Sequence, residues 1–119
     1  TGKEEYDHLD AAFLDMPMAV LVNADSYSAA EFFAAALREY DWAITVGEPT
    51  CGKGYYQTTI QLGDGSAVQL STGAYTTPEG VNLTEAGGLK PDVEVQPAGV
   101  AAAWQEDPQI LAAVEALAE

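Results

Sequence analysis

Cations, histidine and cysteine are scarce in this sequence, and each scarcity closes off a class of chemistry. Its 119 residues include four basic side chains, Lys3, Arg38, Lys53 and Lys90, against 19 acidic ones, for a formal net charge of −15. So few cations cannot neutralise phosphates, which argues against nucleic acid as a partner and against docking on anionic lipid. The acidic excess is read as a solvated surface. Cys51 is the one cysteine, so neither an intrachain disulfide nor a four-cysteine zinc site can form, and no cofactor or metal is expected. The one histidine, His8, lies among Glu4, Glu5, Asp7, Asp10 and Asp15, in a stretch (residues 1–15) read as an acidic linker or arm. Such an arm does not hold an imidazole to the tolerance of proton transfer, so a serine–histidine pair within the chain is set aside. Missing too are any apolar run approaching the roughly 18 residues of a membrane-spanning helix, a signal peptide, an internal repeat and low-complexity sequence.

What is there fits one globular α/β domain, with 48% hydrophobic residues and scattered aromatics. Pro17–Val22 is a short apolar run ending in Val-Leu-Val, which predicts a strand buried on both faces. From Ser28 the spacing of Ala29, Phe33, Ala36, Leu37 and Tyr40 predicts an amphipathic helix with those residues on its buried face. Ser26 or Ser28 can cap it, and Ser28-Ala-Ala-Glu31 has the capping-box spacing. Trp42–Val46 predicts a second buried strand, making a parallel strand–helix–strand unit. The loop Gly47–Gly54 follows. Tyr55–Gln61 and Ala67–Ser71 flank Asp64-Gly65, a hairpin signal; a further short strand is expected near Gly73–Thr77, and an edge strand at Pro91–Val95. Residues 97–119 form a C-terminal helical segment, with Asp107 as N-cap and Pro108 at the first helical position.

The chemistry concentrates in Asn23-Ala-Asp-Ser-Tyr-Ser-Ala-Ala-Glu31 and Thr50-Cys-Gly-Lys-Gly-Tyr-Tyr-Gln57. A serine hydroxyl needs a base to take its proton, and lysine can serve where burial disfavours the ammonium form. Lys53 lies between Gly52 and Gly54, which let the backbone approach its neighbours, while Cys51, Tyr55 and Tyr56 can exclude water. Gln57, four residues on, could position the amine through its carbonyl without favouring the charged form as a carboxylate would. A serine where a strand turns into a helix also has amides at the helix start, such as that of Ala29, available to a developing oxyanion. Each piece has an ordinary reading: a serine is a helix cap, a Gly-Lys-Gly loop is a turn with a solvated lysine, and a strand glutamine faces solvent. The functional reading comes from their combination on consecutive connections.

At these residues the chain resembles the C-terminal processing peptidases, or tail-specific proteases, of serine peptidase family S41. Its Asn23–Glu31 matches the family's Asn-x-x-Ser-Ala-Ser-Ala-Ser-Glu, and Val46–Gln57 matches Val-Gly-Glu-x-Thr-x-Gly-Lys-Gly-x-x-Gln. Further matches are Leu62–Ser66, Tyr75–Gly80 and Gly88–Val93. The resemblance implies that Ser28 is the nucleophile, Lys53 the general base and Gln57 the residue that orients it. It also implies a ClpP/crotonase-like core with a mixed sheet, of which residues 16–96 would be the C-terminal part. The family's PDZ domain and its strand ending in an Asn-Pro-Gly-Gly turn, which supplies the second oxyanion amide, are then expected upstream of Thr1. Tyr27, Ala30 and Cys51 depart from the family's usual residues without removing a catalytic group. The implied activity is endopeptidase cleavage near the C-termini of polypeptide substrates, in an extracytoplasmic setting, with a homodimer through incomplete sheet edges as an available assembly. The competing expectations are a non-catalytic peptide-binding or scaffolding module and an acyl-CoA enzyme of the crotonase type; no basic phosphate-binding patch favours the latter.

Overall fold

The computed structural model describes residues 16–99 and 103–118, so the expected arm at residues 1–15 lies outside the described residues. The first unit is β1 (Ala19–Val22), α1 (Ala29–Glu39) and β2 (Ile44–Gly47). β1 and β2 are parallel and in register from Ala19↔Ile44 to Val22↔Gly47, as the strand–helix–strand pattern predicts. The hairpin β3 (Tyr55–Gln61) and β4 (Ala67–Ala74) comes next, followed by the short helix α2 (Leu83–Ala86). β5 (Val93–Glu94) then pairs in parallel with β2, giving the order β1-β2-β5 with β5 at an edge. A 3-10 turn at Trp104–Glu106 leads into α3 (Pro108–Ala116), which lies against β1 and β2.

The α/β class is as expected, but the strands divide into a parallel sheet of three and an antiparallel pair rather than one mixed sheet. The expected strand at Gly73–Thr77 is instead the end of β4, which runs unbroken to Ala74. A register shift between Tyr56 and Gln57 accommodates its pairing with β3. At the hairpin tip, the Asp64 carboxylate accepts hydrogen bonds from the Ser66 N–H and hydroxyl at 3.0 and 2.6 Å.

Two burial expectations need correction. β1 is not covered on both faces, since Leu21 is 45% exposed while its neighbour Val22 is buried. In α1 the fully buried residues are Glu31, Ala34 and Ala35, whereas Phe33 and the C-cap residue Tyr40 are 66% and 64% exposed. The helix is apolar nearly all round, so spacing alone does not choose a face. The small side chains of Ala34 and Ala35 let it approach closely to a core of Val22, Leu83 and Leu89, with Val20 and Phe32 half-buried beside them.

α1 and β5 are joined by Asp92. Its carboxylate pairs with Arg38 Nε at 2.7 Å and accepts the Thr45 N–H and hydroxyl at 2.9 and 2.7 Å. Among the described residues no helix is long and apolar enough to cross a membrane.

Candidate active site

The connection from β1 to α1 is a tight knot. Asn23 Oδ1 accepts from the Asp25 N–H at 3.0 Å and from the Ser26 hydroxyl at 3.3 Å, while the Asn23 N–H donates back to Ser26 Oγ at 3.1 Å. The Ser26 hydroxyl is thus engaged in shaping the turn. Ser28, at the helix N-cap, has φ 58° and ψ −124°, a conformation that L residues avoid. Such backbone costs about 1–3 kcal/mol and persists only where its surroundings over-determine it. Here the Glu31 half of the capping box predicted by the spacing forms, the Ser28 N–H donating to Glu31 Oε2 at 2.8 Å, while the Glu31 N–H donates to the Ser28 carbonyl at 3.0 Å. Ala29 begins the helix, so its N–H is among the first-turn donors with no intrahelical acceptor.

The lysine loop is fixed from both sides. Glu31, wholly buried, also accepts from the Thr50 hydroxyl, from the Gly52 N–H at 2.6 Å and from the Lys53 N–H at 2.9 Å. On the far side Thr84 of α2 receives the Gly54 N–H and donates to the Gly52 carbonyl, each at 2.8 Å. The glycines do what their positions suggest. A Cβ on Gly52 would come within 2.9 Å of the Gly88 nitrogen, and one on Gly54 within 2.8 Å of Thr84 Oγ1. The Cys51 N–H donates to the Ser26 carbonyl at 3.0 Å, a second tie between loop and turn.

Ser28 and Lys53 are therefore brought together through their backbones. Both N–H groups donate to the same oxygen of Glu31, so the two nitrogens are no farther apart than those two contacts laid end to end. The Lys53 amine lies 5.5 Å from the centre of the Tyr27 ring, a cation–π arrangement one residue before Ser28. Gln57 is exposed on β3, opposite Ser71 and next to the register shift. A groove of about 540 Å³ lined by Arg38, Glu39, Thr77 and Lys90 is lined by neither Ser28 nor Lys53. No group of three or more His, Cys, Asp or Glu among the described residues could hold a metal ion.

Sequence reasoning found Glu31 as a cap but missed that it also holds the lysine loop. It missed α2 as well. The signals were Asn82, whose Oδ1 accepts from the Thr84 and Glu85 N–H groups, and Gly87, which ends the helix with φ 74°.

By fold this is an α/β chain, and by site it is a strained serine turn bonded to a lysine loop through one buried carboxylate. The model of peptidase family S41 matches residues 1–95, and the chain belongs to that family. It is 42% identical over 81 residues to the "C-terminal processing peptidase, chloroplastic" of Tetradesmus obliquus, covering 68% of this chain and 17% of that protein. Against the "Carboxy-terminal-processing protease" of Bartonella bacilliformis it is 39% identical over 101 residues, covering 80% and 23%. Among solved structures it is similar to the "photosystem II D1 C-terminal processing protease", with a TM-score of 0.68, 37% identity and coverage of 76% and 23%. The chain thus spans about a fifth of the length of these relatives.

Proposed function

We propose that this chain is the C-terminal part of the catalytic core of a serine endopeptidase that cuts polypeptides near their C-termini. Ser28 attacks the scissile carbonyl, and Lys53 accepts its proton, returns it to the leaving amine and then activates water to release the acyl group. The Ala29 N–H supplies one oxyanion donor, and Gln57 orients the lysine. The bond from Ser28 N–H and that from Lys53 N–H to one Glu31 oxygen carry this reading, because they couple the turn of the nucleophile to the loop of the base. A strand-to-helix turn with φ 58° at the serine supports it, since strain of this kind gathers at reacting groups. Relatives named as chloroplastic and bacterial processing proteases support a compartment outside the cytosol. Among the described residues β1 ends its sheet with no further strand beside it, which offers a route to a homodimer.

The test is covalent labelling by a fluorophosphonate, read by mass spectrometry, together with turnover of a C-terminal peptide. Labelling on Ser28 and loss of turnover in Lys53→Ala are expected in the full-length protein; full activity of that variant would remove the lysine from the mechanism. A non-catalytic peptide-binding module is the competing reading. It would bind peptide without labelling.

A further inference from the structure

A helix cap needs one acceptor and does not need to be buried, yet Glu31 has no exposed surface and holds four donors. Oε1 takes the Thr50 hydroxyl and the Gly52 N–H; Oε2 takes the Ser28 and Lys53 N–H groups. Four is about the capacity of a carboxylate, so among the described residues the buried carboxylate is compensated by hydrogen bonds and not by a cation. The one ion pair among the described residues is Arg38 with Asp92. Thr50 is itself oriented, because its oxygen accepts the Leu89 N–H at 2.8 Å and its single proton goes to Glu31.

We infer that Glu31 is a positioning residue that sets the serine turn and the lysine loop in reacting register. The inference rests on the serine–lysine reading above and deepens it. Side-chain torsions can bring a hydroxyl and an amine together only if the two backbones start from fixed places. One carboxylate fixes both, and the same bond to the Ser28 N–H holds that residue at φ 58°. Without it, the turn relaxes and the loop loses three of its anchors at once, while Thr84 continues to hold Gly52 and Gly54. The fold persists and the register is lost.

Glu31→Gln tests this in the full-length protein. The amide keeps the shape but introduces an NH₂ among four donors. Turned toward Thr50 it leaves the Gly52 N–H without an acceptor; turned the other way it faces the Ser28 and Lys53 N–H groups. Expected are an unchanged KM, a kcat and a fluorophosphonate labelling rate each about 100-fold lower per folded molecule, and joint movement of the Ser28, Gly52 and Lys53 amide resonances. Thr50→Val, which removes one donor and leaves three, is expected to lose about tenfold in kcat and serves should the glutamine variant not fold. Labelling and kcat within twofold of the unsubstituted protein in the folded variants would reduce Glu31 to a structural cap and overturn the inference. An unsubstituted protein that does not label at Ser28 would overturn the serine reading itself, and the clamp's catalytic role with it; that defect is visible before any substitution is made.

Discussion

Tyr27 and Ser28 bear on the site in opposite ways. Ser28 is held in a strained backbone, while Tyr27, 58% exposed, offers its ring to the Lys53 amine at 5.5 Å. A cation–π contact at an exposed site contributes about 0.5–1 kcal/mol. It draws the amine toward the ring and, on the mechanism proposed above, would compete with the serine hydroxyl for the lysine. Tyr27→Ala is expected to raise kcat a few-fold, up to about fivefold, with Tyr27→Phe close to the unsubstituted protein because the ring remains. A fall in both variants would show that the ring serves the substrate instead. Asp64 is a second residue whose surroundings make a measurable statement. The hydrogen bonds from the Ser66 hydroxyl and N–H hold its carboxyl below the ordinary value of 3.8. A lowered folded value means the turn is favoured above the ordinary range and loses that support as pH falls through the folded value. Ser66→Ala should therefore move the Asp64 titration midpoint upward in an NMR pH series, and an unmoved midpoint would deny the hydroxyl its role.

At the level of elements, Asp92, the residue before β5, joins two others through the Arg38 side chain of α1 and the Thr45 backbone and hydroxyl of β2. The Arg38 and Asp92 side chains are 39% and 34% exposed, so the ion pair itself is screened and the bonds to Thr45 contribute most. Asp92→Asn is expected to cost about 2 kcal/mol, read as a lower urea midpoint at unchanged m-value. Much of this architecture was readable from the chain because its signals are local: apolar strands, a capping box, Asp-Gly at the hairpin tip, Asp107-Pro108 at the start of α3. The serine turn and lysine loop were readable for the same reason, being continuous motifs. The clamp between them was not, since Glu31 and Lys53 meet only once β1 and β2 have paired. α2 spans four residues, too few for a helical period to show. The face of α1 was misread because Phe33 and Tyr40 satisfy a periodic pattern as well as Ala34 and Ala35 do, and only close packing on Val22 and Leu83 decides between them.

For the molecule as a whole, apolar surface and net charge pull in opposite directions. Leu21 on the edge strand β1, Phe33 on α1, and Val114 and Trp104 near the C-terminus are all exposed, and apolar surface of this kind favours association. Among the described residues no strand pairs with the outer edge of β1, and such an edge offers backbone donors and acceptors to a partner. Against association stands the net charge of −15, which repels a second copy over distances set by the ionic strength. The screening length falls from about 30 Å at 0.01 M salt to about 3 Å at 1 M, whereas the apolar contribution is not screened. The chain produced by itself is therefore expected to sediment as a monomer in dilute buffer and to associate reversibly as salt is added. Leu21→Lys with Phe33→Asp should abolish the salt-induced species by placing charge on the edge and on the open helix face. Association that weakens with salt would mean that charge pairing drives it, and a doubly substituted chain that still associates would place the contact elsewhere than on β1 and α1.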